Sequence, residues 1–490
     1  MSDQGRLLTR GSVVLRPDPT RVIAKLFLPG QELVASGVSR ADAVIGRAMA
    51  IPEDEVGALL ADIVDRFGDR HHDLLAIFDE HCRMIGHHLP GGVELSVGRR
   101  QLIGAYCTQE FAVEAAALFN PSMVRHPDQT GLPDGALRYA MSVRAVGEGH
   151  LSSIEFRTGV ISADGVTVDD PGRRLVTGRA TPTEMSRDRL RGALAQEPDH
   201  ADAADPVLRL LRASFSATRL EEAVADARHH GFTGADNDRV VERIRHIARG
   251  HYRLEFPAGP PLSERVIYPT GEAERQGMED ARFTLFTADD GSRSYIGTYT
   301  AFDGRQISPR LIRTDDFTAF EVSPLIGPAA TNKGMALFPR TVGGRHLALS
   351  RWDRESITLA TSPDGHHWDI GAIVQRPTQP WELIQLGNCG PPIETAAGWL
   401  VLTHGVGAVR TYGIGALLLD LDDPTTLIGA LPAPLLTADA DERDGYVPNV
   451  VYSCGALVHG DRLVLPYGCS DSSLRIATVD LPGLLDRLVP

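Results

Sequence analysis

Cysteine is scarce in this chain. Five occur in 490 residues (Cys82, Cys107, Cys389, Cys454 and Cys469), an odd, widely spaced set without a CxxC pair. That excludes a disulfide framework and offers no zinc-ligand spacing. Apolar runs of membrane-spanning length are also missing, and Met1-Ser2-Asp3-Gln4-Gly5-Arg6 lacks the apolar stretch of a signal peptide. A cytoplasmic protein is the expectation. Positive charge is in deficit, with a formal net charge of −15. Nucleic acid and anionic membranes both require clustered Lys and Arg, so neither is an expected partner. No GxGxxG follows a strand, and no Walker A loop or GxSxG elbow occurs, so nucleotide and serine-hydrolase chemistry gain no support. The histidine pairs at 71–72, 87–88, 229–230 and 366–367 lack the i, i+4 spacing and acidic partner of a zincin helix. No metal is expected.

What is present is ordinary for a soluble globular protein: 42% hydrophobic and 23% charged residues, in a chain long enough for two or more domains. Residues 8–36 read as a strand-and-turn lead-in. Pro52 then suits a first helical turn, followed by Glu53, Asp54 and Glu55 at the positive end of the helix dipole. Val56, Leu59, Leu60, Ile63, Val64 and Phe67 form one apolar stripe, which Gly68 can close. Leu74, Leu75 and Phe78 begin another helix, and Phe111 to Leu118 are expected to form a further one. The character changes at Phe119-Asn120-Pro121-Ser122. Tyr139–Arg144 and Ser153–Phe156 read as strands. A helical interval runs from about 184 to 250, and short strands with Gly/Pro/Asp turns fill the rest.

The turns repeat. Ser162-Ala-Asp164-Gly165, Thr314-Asp-Asp316-Phe317 and Ser362-Pro-Asp364-Gly365 share one skeleton, and the last two start 48 residues apart. A four-stranded unit of about 40–50 residues is the size of a propeller blade, and five or six would fit. A β-sandwich or barrel is the rival arrangement.

Candidate chemistry centres on Gly277-Met278-Glu279-Asp280-Ala281-Arg282-Phe283. In a regular strand Glu279 and Asp280 point to opposite faces, while Asp280 and Arg282 share one. Other polar groups stand where strands meet turns: Asn120, Arg144, Lys333, Asn388 to Glu394, His404, Asn449, and Tyr467 with Asp471. Singly each has a plain structural account, and His404 reads as a satisfied core histidine. Carboxylates with cations and amides on a β scaffold suit carbohydrate chemistry, in which a carboxylic acid protonates a glycosidic oxygen.

Taken together, these motifs resemble glycoside hydrolase family 130, the β-mannoside phosphorylases and related β-mannosidases. The resemblance rests on Phe119-Asn120-Pro121, Ser142-Val143-Arg144, Gly277–Arg282, Lys333–Pro339 and Gly390-Pro391-Pro392-Ile393. It continues through Gly398–Leu400, His404-Gly405-Val406, Gly445–Val451 and Tyr467–Asp471, all in the family's order. It implies a mainly β fold: a five-bladed β-propeller over 119–490, with a mostly helical N-terminal extension over 1–118 and a helical insertion at about 184–250. It also implies Asp280 as general acid, its proton passing through a mannose hydroxyl, and attack by phosphate with inversion to give α-mannose 1-phosphate. Asn120, Arg144 and Asp471 match sugar-contacting positions, and Arg282, Asn449 and Tyr467 are added as substrate-binding candidates. Lys333 and His404 match phosphate-side positions.

Two positions depart from the family. Ala281 replaces a proline after Glu-Asp, and Ser308 occupies the place of a phosphate-binding arginine. Strand alternation lets Arg310, two residues on, substitute; Arg305, three away, does not. An inverting β-mannosidase would need a carboxylate to activate water, and Glu321, Glu382, Glu394 and Glu442 stand unranked as candidates. A mannosyltransferase and a non-catalytic sugar-binding propeller are the further alternatives. The expected partners are a small oligosaccharide and, for a phosphorylase, inorganic phosphate, with no cofactor. The apolar stripes of the helical additions need a partner, either over the active-site mouth or in a second copy in a homo-oligomer.

Overall fold

Five antiparallel meanders follow one another among the described residues of the computed structural model, which cover 7–488 except 31, 35, 36, 93 and 196–201. Met1–Arg6, where a signal peptide would begin, lies outside them. The first meander comprises Ala117–Arg125, Leu137–Val146, Ser152–Ser162 and Gly165–Val168. The second comprises Gly277–Thr287, Arg293–Phe302, Ile307–Thr314 and Ala319–Pro324, widened by Tyr252–Glu255 and Arg179–Pro182. Ala336–Leu337, His346–Ser350, Ile357–Ser362 and Asp369–Gln375 form the third. Gln385–Asn388, Gly398–Val406, Tyr412–Leu419 and Leu427–Ala430 form the fourth. Val451–Tyr452, Arg462–Cys469 and Ser473–Asp480 form the fifth, and the chain's first strand, Leu8–Leu15, pairs with Ser473–Asp480 at its edge.

The repeated turn has one structural meaning. Each copy joins the third strand of its meander to the fourth, and in each the hydroxyl at the first position accepts a backbone N–H. Ser162 takes Asp164 N at 3.2 Å, Thr314 takes Phe317 N at 2.8 Å and Ser362 takes Gly365 N at 2.9 Å. Trp368, after the third copy, is fully buried.

Apolar faces pack each meander on the next. Phe156 of the first meets Phe283 and Phe320 of the second; Phe286 and Ile296 of the second meet Leu337 and Trp368 of the third. Leu349 and Leu359 meet Trp399 and Val401, and Leu402 and Ile414 meet Leu465 and Ala477. Val464 and Ile476 of the fifth pack on Leu118 and Met141 of the first.

Two helical regions are added. Arg40–Ala50, Glu53–Phe67, Leu74–Met84 and Val97–Tyr106 precede the first meander. Arg187–Leu194, Asp205–Leu208, Ala217–His229 and Ala235–Arg249 lie between the first and second. The helix expected over Phe111 to Leu118 is absent. Thr108–Ala112 pairs antiparallel with Val22–Leu26, and Ala117 already begins the first meander. An apolar run this short fits either period, and tertiary pairing decides it. No helix among the described residues is long and apolar enough to cross a membrane.

Candidate active site

Two backbone irregularities build the site. The pairing of Gly277–Thr287 with its neighbour shifts between Glu279 and Arg282, and that of Ala117–Arg125 shifts between Phe119 and Ser122. At these bulges Asp280 and Asn120 adopt φ of 56° and 50°, left-handed values that non-glycine residues seldom take. Asn449 and Asp471 share the feature, at 64° and 49°. Such strain persists only where surrounding contacts hold it. Here Gly277 lets the strand come close: a Cβ there would stand 2.3 Å from Ser152 Oγ. Gly390 does the same between the fourth and fifth meanders, where a Cβ would meet the Cys454 carbonyl at 2.4 Å.

The bulge overturns the simple alternation expected for Glu279 and Asp280. Both carboxylates turn to Arg144, whose Nη2 donates to Glu279 Oε1 at 2.6 Å and whose Nη1 lies 3.5 Å from Asp280 Oδ1. Glu279 therefore belongs to the site, and its second oxygen accepts from Lys333 Nζ. Asn120 Nδ2 donates to Asp280 Oδ1 at 2.6 Å. Arg282, fully buried, donates to the Asp280 carbonyl at 2.6 Å and to Tyr452 OH at 2.9 Å, so it secures the bulge more directly than it pairs with the carboxylate, 3.9 Å away. Burial works to raise the proton affinity of Asp280, but Arg144, Arg282, Lys333 and the Asn120 bond outweigh it and hold the carboxyl below its ordinary value.

Tyr452 leads on to a second cluster. Its ring lies 4.8 Å from that of His404, which stacks on Tyr412 at 6.1 Å. His404 Nδ1 faces the Asn388 carbonyl at 3.3 Å, so this nitrogen carries the proton. Nε2 is then the acceptor for Arg351 Nη1 at 3.1 Å and Gln385 Nε2 at 3.3 Å. Burial, reinforced by Arg351 and Arg282, pushes the imidazole well below its usual pKa. His404 is thus neutral, and the cation beside it is Arg351. The sequence reading missed Arg351. Its Nε is buried without a hydrogen-bond partner among the described residues, and its carbonyl accepts from Asn332 next to Lys333.

Asp471 stands apart from these pairs: among the described residues its carboxylate takes no hydrogen bond. Burial and then the charge of Asp280 raise it to about 6, against the pull of Arg144 and Arg410. It is neutral below that pH and ionised above it, when it can accept from sugar hydroxyls. We expect kcat/KM to rise with pH through a midpoint near 6, and Asp471→Asn to remove that limb. The same limb persisting in the variant would assign the titration elsewhere.

Three other expected site residues have side-chain partners outside the Asp280 cluster. Arg310 bonds the Gly250 carbonyl at 3.4 Å beside the helical insertion and does not join the Asp280 cluster. Tyr467 OH donates to Glu442 Oε1 at 2.7 Å, and Asn449 Oδ1 accepts from Arg443 at 2.9 Å. The candidate bases are all engaged: Glu442 with Arg10, Glu321 with Arg253, Glu394 with Arg340, and Glu382 with the amides of Thr378 and Gln379. Ser308 Oγ is buried without a hydrogen-bond partner among the described residues. One signal for Lys333 was available in the composition. Of 49 Lys and Arg residues only Lys25 and Lys333 are lysines, so a lysine is unusual in this chain.

The family model for beta-1,4-mannooligosaccharide phosphorylase matches residues 259–489. A 1,2-beta-oligomannan phosphorylase of a Thermoanaerobacter species is 32% identical over 228 residues, which cover 46% of this chain and 75% of that enzyme. The chain belongs to glycoside hydrolase family 130. A beta-1,2-mannobiose phosphorylase of Listeria innocua is 33% identical over 232 residues, 45% of this chain; the match spans 63% of that enzyme's length, short of two thirds. The solved structure of the Listeria innocua enzyme with beta-1,2-mannobiose aligns over 77% of this chain and 93% of its own, with 24% identity and a TM-score of 0.45. Asn120 and Arg144 precede the stretch matched by the family model and meet Asp280 only in three dimensions.

Proposed function

We propose that the chain is an inverting phosphorylase of β-linked mannosides that releases α-mannose 1-phosphate, on a five-bladed propeller formed by 119–490 and closed by Leu8–Leu15. Supporting the propeller are the five meanders and the packing of the fifth on the first. The regions added to it are the helices before 119 and those at about 184–250. The cytoplasmic reading is supported by five cysteines that are all free and buried.

The observation that carries the chemistry is the pairing of one strained carboxylate, Asp280, with cations whose donors remain open, Lys333 and Arg351. A phosphate dianion needs such groups ready-placed, and positioning it replaces a second catalytic carboxylate. Its arrival also solves a difficulty. Arg144, Arg282 and Lys333 keep Asp280 ionised, which is wrong for a proton donor. A dianion beside Lys333 neutralises part of that field while the sugar excludes water, and both effects raise the proton affinity of Asp280. Asn120, Arg144 and Asp471 then hold the mannose, and His404 fixes the orientation of Arg351.

Incubation with β-1,2- and β-1,4-mannobiose tests the proposal. Mannose 1-phosphate should form only when phosphate is present, and Arg351→Gln and Lys333→Ala should each raise KM for phosphate by about tenfold or more, the scale of one charge-assisted contact. Mannose release independent of phosphate would support the second reading, hydrolysis, which Asp471 favours as an unpaired carboxylate near Asp280.

A further inference from the structure

A second cluster of basic side chains lies away from Asp280. A cavity of about 610 Å³ opens where the helical insertion meets the second and third meanders, and Arg189, Arg313, His251 and His366 all line it. Arg189 comes from Arg187–Leu194, Arg313 from Ile307–Thr314, and His366 follows the Ser362–Gly365 turn. Neither guanidinium has an ion-pair partner among the described residues. The carboxylates on the wall are engaged: Glu184 accepts from Ser214 at 2.7 Å, Glu321 pairs with Arg253, and Asp364 accepts from the amides of His366 and His367 at 2.9 Å each. His366 Nδ1 is buried without a hydrogen-bond partner among the described residues. Two separate elements thus bring guanidinium groups without ion-pair partners among the described residues to one space, where the nearby carboxylates of Glu184 and Asp364 each have an oxygen occupied by neutral donors.

The two histidines register that field. Burial first, then Arg189, His346 and Arg313, push His366 down to about 4 against the opposing pull of Asp364; burial, Arg310, His366 and Arg189 push His251 to about 3. Both rings are neutral at physiological pH, each with one N–H to give, and the arginines carry the charge. Guanidinium forks beside neutral donors match the several oxygens of a phosphate group. The cavity is larger than one phosphate ion requires. Its remaining walls offer the hydroxyls of Ser292, Ser294 and Ser323, and a flat apolar face where Phe286 stacks on His346 at 5.5 Å. Hydroxyls and one ring face are what a hexose uses.

We infer that this cavity binds the phosphate monoester of a hexose, at a site separate from the Asp280 centre. The arginines and His366 hold the phosphate, and the sugar ring lies against Phe286. The insertion supplies Arg189, so occupancy ties that helical unit to the second and third meanders. The assignment does not depend on the catalytic reading, because none of its residues touches the Asp280 cluster.

Calorimetric titration with mannose 6-phosphate, mannose and inorganic phosphate tests it, on the wild-type chain, an Arg189→Gln/Arg313→Gln double variant and Lys333→Ala. The expected result is saturable binding of mannose 6-phosphate that weakens at least tenfold in the double variant and is unchanged by Lys333→Ala. His366→Ala, a single substitution that leaves both arginines, should weaken it as well, which guards against a misfolded double variant. Binding lost with Lys333→Ala, or indifferent to Arg189 and Arg313, would overturn the site. Inorganic phosphate binding as tightly as the sugar phosphate would overturn the hexose part of the assignment.

Discussion

Asp280→Asn should lower kcat for β-mannobiose phosphorolysis by about 10²–10⁴-fold, the usual contribution of a positioned acid, while substrate affinity changes little. Asparagine keeps the shape, and its Oδ1 can still accept from Asn120, which bonds Asp280 at 2.6 Å. Arg144 keeps Glu279, and Arg282 keeps Tyr452 and the residue 280 carbonyl. What disappears is the proton. An aryl mannoside with a good leaving group needs that proton less, so its rate should fall far less than that of mannobiose. If both substrates lose rate equally, Asp280 acts on binding or on site geometry, and the acid must be sought elsewhere. Full activity in the variant would remove Asp280 from the chemistry, whereas sugar binding without turnover in the wild-type chain would leave a sugar-binding protein.

The sequence was readable where local chemistry dictates local structure. Glu53–Phe67 follows Pro52 and ends at Gly68, as its apolar stripe required, and the Ser/Thr-x-Asp turns mark the same junction in three meanders. It was unreadable where backbone geometry departs from the regular period. Glu279 and Asp280 point the same way because of a bulge, and nothing in Glu-Asp-Ala-Arg declares one. A weaker clue existed. Asn120, Asp280, Asn449 and Asp471 are of the two types that best tolerate left-handed φ after glycine. Arg351 was hidden for another reason. It is one arginine among many, and only folding places it against His404. Arg310, chosen by counting along a strand, has a usable alternation but the wrong neighbours, since its guanidinium is taken by the Gly250 carbonyl.

Arg21 carries the largest stability effect expected. It lies just before Val22–Leu26, in the segment that leads into the N-terminal helices, and it is fully buried. Its Nε lies 2.7 Å from Glu114 and its Nη2 2.7 Å from Glu155, in the third strand of the first meander. It also donates to the carbonyls of Pro171, Gly172 and Ser263. Arg157 completes a group of two cations and two carboxylates. Arg21→Met keeps much of the volume but leaves two buried carboxylates to one arginine and three carbonyls without their donor. Breaking a buried pair from one side typically costs about 3–5 kcal/mol. Urea unfolding should show a loss of that size, with a lower midpoint and an unchanged slope. Adding Glu155→Gln to Arg21→Met should return part of the loss, because it removes the surplus charge. A loss below about 1 kcal/mol would mean that water reaches the group and that the contact does not pin the N-terminal segment to the first meander.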